Sequence, residues 1–494
     1  MDTPDARVKG SGLLILTIAL AIFMASLDGT IVNIALPAIT TAFNVSTSTV
    51  SWVATSYLLV EMGCVLIFGK IADTYGYRKI FLTGFAVFTT GSLLCGFLPG
   101  IVLGFPALVI SRVFQAVGGA MLMSVAAAMI TAFIPADRTG KAMSVIMLCS
   151  GLGAAMGPLI GGLLTQYLSW QWIFFINVPI GIFAVLLGAR VIPTSKRVAA
   201  SGAFDTAGAG LVFVGLASFV FVLSEGAVYG WTAPVILVGA AVAVIALAGF
   251  VWHERGAADP MLDISLFQNR NFLLVNLLLC LVFISYAGIE YLLPFYLQIV
   301  QNYDAATAGM VLTSLSLPMM IAGLIAGLAF NRFGPRRLCI VAGLPLVAGY
   351  YMLTTLGVST PIGFISLSLG LIGFGFGMIV TPATTLAMIS VEKRKAGMIS
   401  SLTSLERSAP ISIGIAVYNL ILIEGILLIA KYSEVTTQSP AHIQKEVFSV
   451  GFNVGFLVSL VLGIVIIIIA LAIKEEIHPE YEEESKVLSY RNAP

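Results

Sequence analysis

Apolar stretches of about 20 residues, the length needed to cross a bilayer, follow one another along this chain with short polar segments between them. Fourteen such stretches can be counted, near 12 to 37, 48 to 69, 79 to 98, 105 to 132, 139 to 165, 170 to 191, 206 to 224, 232 to 252, 272 to 299, 305 to 330, 336 to 355, 362 to 388, 397 to 428 and 448 to 473. Stretches this long in an apolar solvent must satisfy their own backbone, so the pattern predicts helices and an all-α integral membrane fold.

The polar segments carry an independent signal, because cytoplasmic loops collect Lys and Arg. With the N-terminus inside, 21 of the 25 basic residues fall in inner segments, from Arg7, Arg78, Arg138 and Lys196 to Arg255, Arg332, Lys393 and Arg491. Lys431 and Lys445 fall outside, and Arg112 and Arg407 fall within spans. A missed helix would invert the alternation downstream, so the expectation is fourteen spans with both termini cytoplasmic. The first stretch continues past Asn33 to Pro37 with no small-residue cleavage site, which predicts a retained helix rather than a signal peptide.

Composition agrees: the 494 residues are 59% hydrophobic and 10% charged, with a mean hydropathy of +1.03. A net charge of +1 gives no reason to expect nucleic acid as a partner. Cys64, Cys95, Cys149, Cys280 and Cys339 stand singly in apolar stretches and His253, His442 and His478 stand apart, which predicts packing cysteines and no metal site.

One segment occurs twice. Gly69, Asp73, Gly76, Arg78 and Lys79 are matched 258 positions later by Gly327, Asn331, Gly334, Arg336 and Arg337. The chain is therefore duplicated, as transporters often are, and the offset spans eight helices rather than six. This predicts an N-terminal six-helix bundle over 1–191, two extra transmembrane helices with a cytoplasmic linker over 192–270, and a C-terminal six-helix bundle with an acidic tail over 271–494. The segment Met261 to Phe267 reads as a helix on the cytoplasmic surface, tethering the halves.

These residues resemble the major facilitator superfamily. The segment from Gly69 to Lys79 is similar to its signature loop, and six plus two plus six helices to its fourteen-helix drug:proton antiporter branch. Asp28 to Pro37, Arg112 to Ala120, and Trp170 to Pro179 also fit, and Gly153, Gly157, Pro158, Gly161 and Gly162 resemble the family's antiporter motif. Thr74, Tyr77, Ala116 and Gln171 depart from the usual residues. The resemblance implies alternating access, protons as the coupling ion with no other cofactor, a hydrophobic or cationic small molecule as substrate, and a monomer in the cell membrane surrounded by lipid.

Chemistry is expected where ionisable residues lie within spans, since each is expensive there. Asp28 lies about 24 Å and Glu290 about 27 Å above the inner ends of their helices, and Arg112 about 10 Å below its outer end. The resembled fold lines its cavity with the first, fourth, ninth and twelfth helices, which carry Asp28, Arg112 and Glu290. A carboxylate able to gain and lose an Arg partner can switch protonation with conformation. Asp28 is thus the expected principal proton and cation site, Glu290 the second acid and Arg112 the tuning charge; a static buried ion pair is the alternative. Glu406 and Arg407 are consecutive, so one of them can face the cavity, and the resemblance implies Glu406 as an accessory proton site. Glu61 reads as a packing or gating residue.

Asp73 with Arg78 and Lys79 can form a charge-assisted clasp at neighbouring helix ends, which would make the Gly69 and Gly76 loop a gate. Glycines every four residues, at 153, 157 and 161, let another helix approach; packing alone would account for them, and only the resemblance points to export. The leading expectation is a proton-coupled exporter of hydrophobic or cationic compounds. A proton-coupled metabolite transporter, importing or exporting a narrow range, is the alternative. An enzyme would need a nucleophile or acid cluster and an ATP-driven pump a phosphate loop, and the sequence contains neither.

Overall fold

The computed structural model describes residues 11–134, 136–193, 205–257, 262–391, 396–432 and 441–474. Within them the chain is helical: α1 Ser11–Phe43, α2 Thr47–Tyr75, α3 Tyr77–Phe97, α4 Phe105–Phe133, α5 Ala136–Tyr167, a turn Trp172–Phe175 leading into α6 Asn177–Val191, α7 Thr206–Tyr229 and α8 Pro234–Gly256. It continues as α9 Arg270–Phe295 with a π-helical extension Tyr296–Val300, α10 Ala305–Phe333, α11 Pro335–Leu353, α12 Ile362–Ile389, α13 Ala396–Tyr432 and α14 Ala441–Ala472. Among the described residues, thirteen helices are long and apolar enough to cross a membrane. Side chains such as Leu328 and Trp252 point outward at 86% and 79% exposure, as lipid-facing positions do.

The duplication reappears as packing. Helix α1 packs on α5 and α6, α2 on α4, α3 on α4 and α6; shifted by eight, α9 packs on α13 and α14, α10 on α12, α11 on α12 and α14. Between the two sets the pairings cross over, α5 against α10 and α2 against α13. The extra helices behave differently. Helix α8 packs on α7, and α7 lies along α2 and α13, with the Phe213 ring against Gly63 and Trp52 Nε1 donating to Glu225 Oε1 at 2.7 Å.

The segment read as a surface helix is instead a single 3₁₀ turn, Ile264–Gln268, capped by Asp263. Leu262, Leu266 and Phe267 turn inward against Phe272, Val391 and Leu402, so their apolar face is covered by protein. Met261, the acidic segment from Glu475 to Glu484, and the side chains of Asp73 and Asn331 lie outside the described residues.

Gly76 and Gly334 occupy φ of 93° and 75°, a left-handed conformation costly for a side-chain-bearing residue, and each turns the chain from one helix into the next. Two residues further on, the arginines do the same work in both repeats. Arg78 Nη2 donates to the Ala189 carbonyl at 2.6 Å near the end of α6, and Arg336 Nη2 donates to the Leu471 carbonyl at 2.6 Å near the end of α14. Each places a cation on the carbonyl-rich terminus of a helix in its own half.

Candidate functional site

A cavity of about 280 Å³ lies between the two sets of helices and is lined by α1, α2, α4 and α5 on one side and α9, α10, α12 and α13 on the other. Arg112 and Glu290 line it, as does Glu61; of the consecutive pair in α13, Arg407 faces it while Glu406 does not. Glu406 Oε2 is enclosed elsewhere with no hydrogen-bond partner among the described residues. Asp28 lies just behind this surface, 0% exposed.

The Asp28 carboxylate is saturated. Its Oδ2 accepts Arg112 Nη1 at 2.6 Å, and its Oδ1 accepts Gln115 Nε2 at 2.8 Å and Asn177 Nδ2 at 2.9 Å. Arg112 in turn donates through Nε to the Val53 carbonyl at 3.0 Å and through Nη1 to Gln115 Oε1 at 2.6 Å, with its guanidinium 4.1 Å from the Tyr57 ring centroid. Four helices, α1, α2, α4 and α6, meet on this one ion pair. A buried pair is tolerable when its remaining donors and acceptors are satisfied, and here a neutral amide on each side does that.

Glu290 is held differently. Tyr286, one turn earlier, donates its hydroxyl to Oε1 at 2.6 Å, and Asn33 of α1 donates Nδ2 to Oε2 at 3.2 Å. Four residues later comes Pro294, which has no N–H to return to the Glu290 carbonyl, and the helix beyond it loosens into the π-helical turn Tyr296–Val300. The motif Glu290-x-x-x-Pro294 was a readable sign of a special position.

The bond to Glu290 belongs to a group that closes one end of the cavity. Gln298 Nε2 donates to the Ile34 carbonyl at 3.0 Å, Ala305 N to Gln166 Oε1 at 3.3 Å, and the Tyr291 hydroxyl lies 2.7 Å from the Thr47 carbonyl. All lie toward the end where α1 stops and α2 begins.

The glycine motif of α5 is built into the same closure. A Cβ on Gly153 would meet the Phe23 carbonyl at 2.5 Å, one on Gly157 the Thr30 side chain and Ile31 N at 3.0 Å, and one on Gly161 the Ile31 and Ile34 side chains. These three seat α5 on α1. Gly162 and Pro158 face the other way, against the backbone of Ala305 and Gly309 in α10. Pro158 also leaves the Ala154 carbonyl without its helical donor, and the Thr30 hydroxyl of α1 lies 3.2 Å from that oxygen. A side chain of the α1 motif thus stands where a distant motif in α5 lacks a backbone donor.

Sequence reasoning placed Asp28 and Arg112 together and Glu290 on the cavity wall. It did not bring Glu61 to the wall, because it assigned the lining to the first and fourth helices of each half; it expected one of Glu406 and Arg407 to face the cavity and favoured Glu406, whereas Arg407 is the one that does. Lys79 is exposed, and Arg78 is engaged with α6, while its clasp with Asp73 falls on an undescribed side chain.

A helical chain of this length with an internal cavity walled by two repeated sets of helices is a membrane transporter. Residues 18–415 match the model of the Major Facilitator Superfamily, and the chain belongs to that family. It is 34% identical to the puromycin resistance protein of Streptomyces alboniger, over 84% of this chain and 82% of that one. It is 31% identical to the multidrug resistance protein Stp of Mycobacterium tuberculosis (83% and 75% covered) and 29% identical to the riboflavin transporter RibZ of Clostridioides difficile (87% and 92% covered). The crystal structure of a bacterial homologue of the lysosomal transporter Spinster, inward-facing and unoccupied, shares the fold at a TM-score of 0.67 and 14% identity, covering 97% of this chain and all of that one.

Proposed function

We propose that the protein is a secondary active transporter of the cell membrane that exports hydrophobic and cationic compounds in exchange for protons. In this reading the chain crosses the membrane fourteen times, α2 included, with both termini cytoplasmic, and α7 and α8 form the insertion between two six-helix bundles. The end closed by α5, α10, Asn33 and Glu290 then faces outward, and the cavity is offered to the cytoplasm. The observation that carries the proposal is the cavity itself, which combines a mostly apolar wall with carboxylates at Glu61 and Glu290. The resistance and export functions named for several relatives agree with it.

Proton coupling is assigned to the Asp28–Arg112 pair, with Glu290 as the second acid and Glu406 as an accessory. Asp28 can give up its charge only if Arg112 moves away or is otherwise neutralised, which ties protonation to the positions of α1 and α4. Glu290 loses one donor whenever α1 and α9 separate. Glu290 is thereby linked to the rocking of the halves and Asp28 to movement of α1 against α4 within the first half, two changes that alternating access can couple.

The test is dye uptake into everted vesicles energised with an acid interior. Ethidium should accumulate in vesicles carrying the protein, and collapse of the pH gradient should release it; Glu290→Gln should abolish the response. Uptake that survives gradient collapse would refute antiport. The similarity to a riboflavin transporter favours a second reading, a metabolite carrier, and that reading predicts transport of riboflavin and none of ethidium.

A further inference from the structure

The cavity contains a carboxylate with no assigned role. Glu61 lies in the middle of α2, about 21 Å from its start by the helical rise, and is 6% exposed with its surface turned to the cavity. A carboxylate in such a place is conspicuous, since buried charges are ordinarily paired. The other acids are accounted for. Asp28 accepts three donors and does not reach the cavity, Glu290 has Tyr286 on one oxygen and Asn33 on the other, and Glu406 points elsewhere. Among the described residues Glu61 receives no hydrogen bond and has no cation within 4 Å.

We propose that Glu61 is the contact for the positive charge of the transported compound, an aromatic organic cation whose ring lies on the opposite wall against Tyr286 and Phe376. The inference rests on reading the cavity as the transport site, and it separates the cation contact from Asp28. The opposite wall suits such a ring. Phe376 lies 4.7 Å from Tyr286 and 5.6 Å from Phe283, centroid to centroid, and the three form a continuous aromatic surface on α9 and α12. A flat cation held there gains both stacking and cation–π attraction.

The surrounding charges favour one positive charge on the ligand. Facing Glu61 are Tyr57 on its own helix, Arg112 of α4, Arg407 of α13, and Tyr286 and Glu290 of α9, with Asp28 of α1 behind Arg112. Arg112 is neutralised by Asp28, so the free charges on the two nearest walls are the Glu61 carboxylate and the Arg407 guanidinium. Glu290 adds a second carboxylate to the wall, so Glu61 and Glu290 together face the one Arg407 guanidinium, and a ligand carrying a single positive charge brings the cavity into balance.

The experiment measures binding to the purified full-length protein at one fixed pH, with ethidium as the cationic probe and Nile red as the neutral one. Glu61→Gln should weaken ethidium binding about thirtyfold, the scale of a lost buried charge contact, while Nile red affinity changes by less than about threefold. Glu61→Asp should fall between wild type and Gln for ethidium. Wild-type ethidium affinity in Glu61→Gln overturns the inference and leaves the exporter reading intact if vesicle uptake of the dye persists. Equal loss of both probes also overturns it, because the residue is then structural. If the wild-type protein neither binds nor moves ethidium, the exporter reading falls and takes this inference with it.

Discussion

Asn33 donates Nδ2 to Glu290 Oε2 at 3.2 Å, joining a helix of the first half to a helix of the second inside the cavity. A hydrogen bond to a charged group contributes about 1.5–3 kcal/mol, enough to shift a two-state equilibrium by about tenfold or more. Asn33→Ala is therefore expected to populate the state in which α1 and α9 part. Spin labels at Gln166 and Tyr303, at the closed end, should report a longer distance; an unchanged distribution would show that this bond does not hold the end shut.

Removing the charge of Asp28 leaves the Arg112 guanidinium buried and unpaired. Breaking such a pair costs about 3–5 kcal/mol, so Asp28→Asn should unfold in detergent at a clearly lower temperature than wild type. Adding Arg112→Gln should restore most of that loss, because two neutral amides replace two charges, yet ethidium export should stay absent. Recovery of export in the double variant would reassign the pair to a purely structural role.

Gly157 has no room for a side chain: a Cβ meets Thr30 and the backbone of Ile31. Overpacking of this kind costs about 1–3 kcal/mol, and at this place the strain pushes α5 from α1. Gly157→Ala should lower the unfolding midpoint and reduce transport more than Gly29→Ala, where a Cβ would meet nothing within 4 Å. Equal transport by the two variants would remove Gly157 from the closure.

Arg78 and Arg336 make matching contacts, so their substitutions should be matched too. Each to Ala removes a charge-assisted cap of about 1 kcal/mol, and the double variant should lose about the sum, as independent sites do. Midpoints in a thermal unfolding series give the comparison. A loss confined to Arg78 would mean that the loop between α2 and α3 has a further role absent from its counterpart.

Acid sensitivity is expected at the start of α7. Burial pushes the Asp205 carboxyl up, but the Gly208 amide at 2.8 Å and His253 Nε2 at 2.7 Å outweigh it and hold it below the ordinary aspartate range. A carboxyl depressed by folding stabilises the protein above its unfolded value, and that stability is lost as pH falls through the folded value. Asp205→Asn should thus be less stable than wild type above the ordinary aspartate range, the gap closing below about pH 4. A gap that persisted undiminished through that acid range would show that the carboxylate is not the group responsible.

Much of this was legible because hydropathy and charge report on depth. All fourteen helices were anticipated, and Asp28 and Arg112 were placed in one layer and do pair. Helix ends were less legible: α1 continues past Pro37 to Phe43, and α14 begins at Ala441 although His442, Gln444 and Lys445 read as loop. Direction within a layer was harder still. Glu61 and Asp28 lie at similar depths, yet one faces the cavity and the other is sealed behind Arg112, because that choice depends on how α2 meets α13 of the other half. Nothing local distinguishes Glu406 from Arg407 either; the rotation of α13 decides which one the cavity receives.

Helix α7 lies along the line where α2 meets α13, its Phe213 ring seated in the notch at Gly63. The core of the molecule repeats with near two-fold regularity, but its flanks do not. Of the two seams where the halves adjoin, the one between α2 and α13 is roofed by an added helix. A compound dissolved in the surrounding lipid therefore meets α7 before it meets that seam.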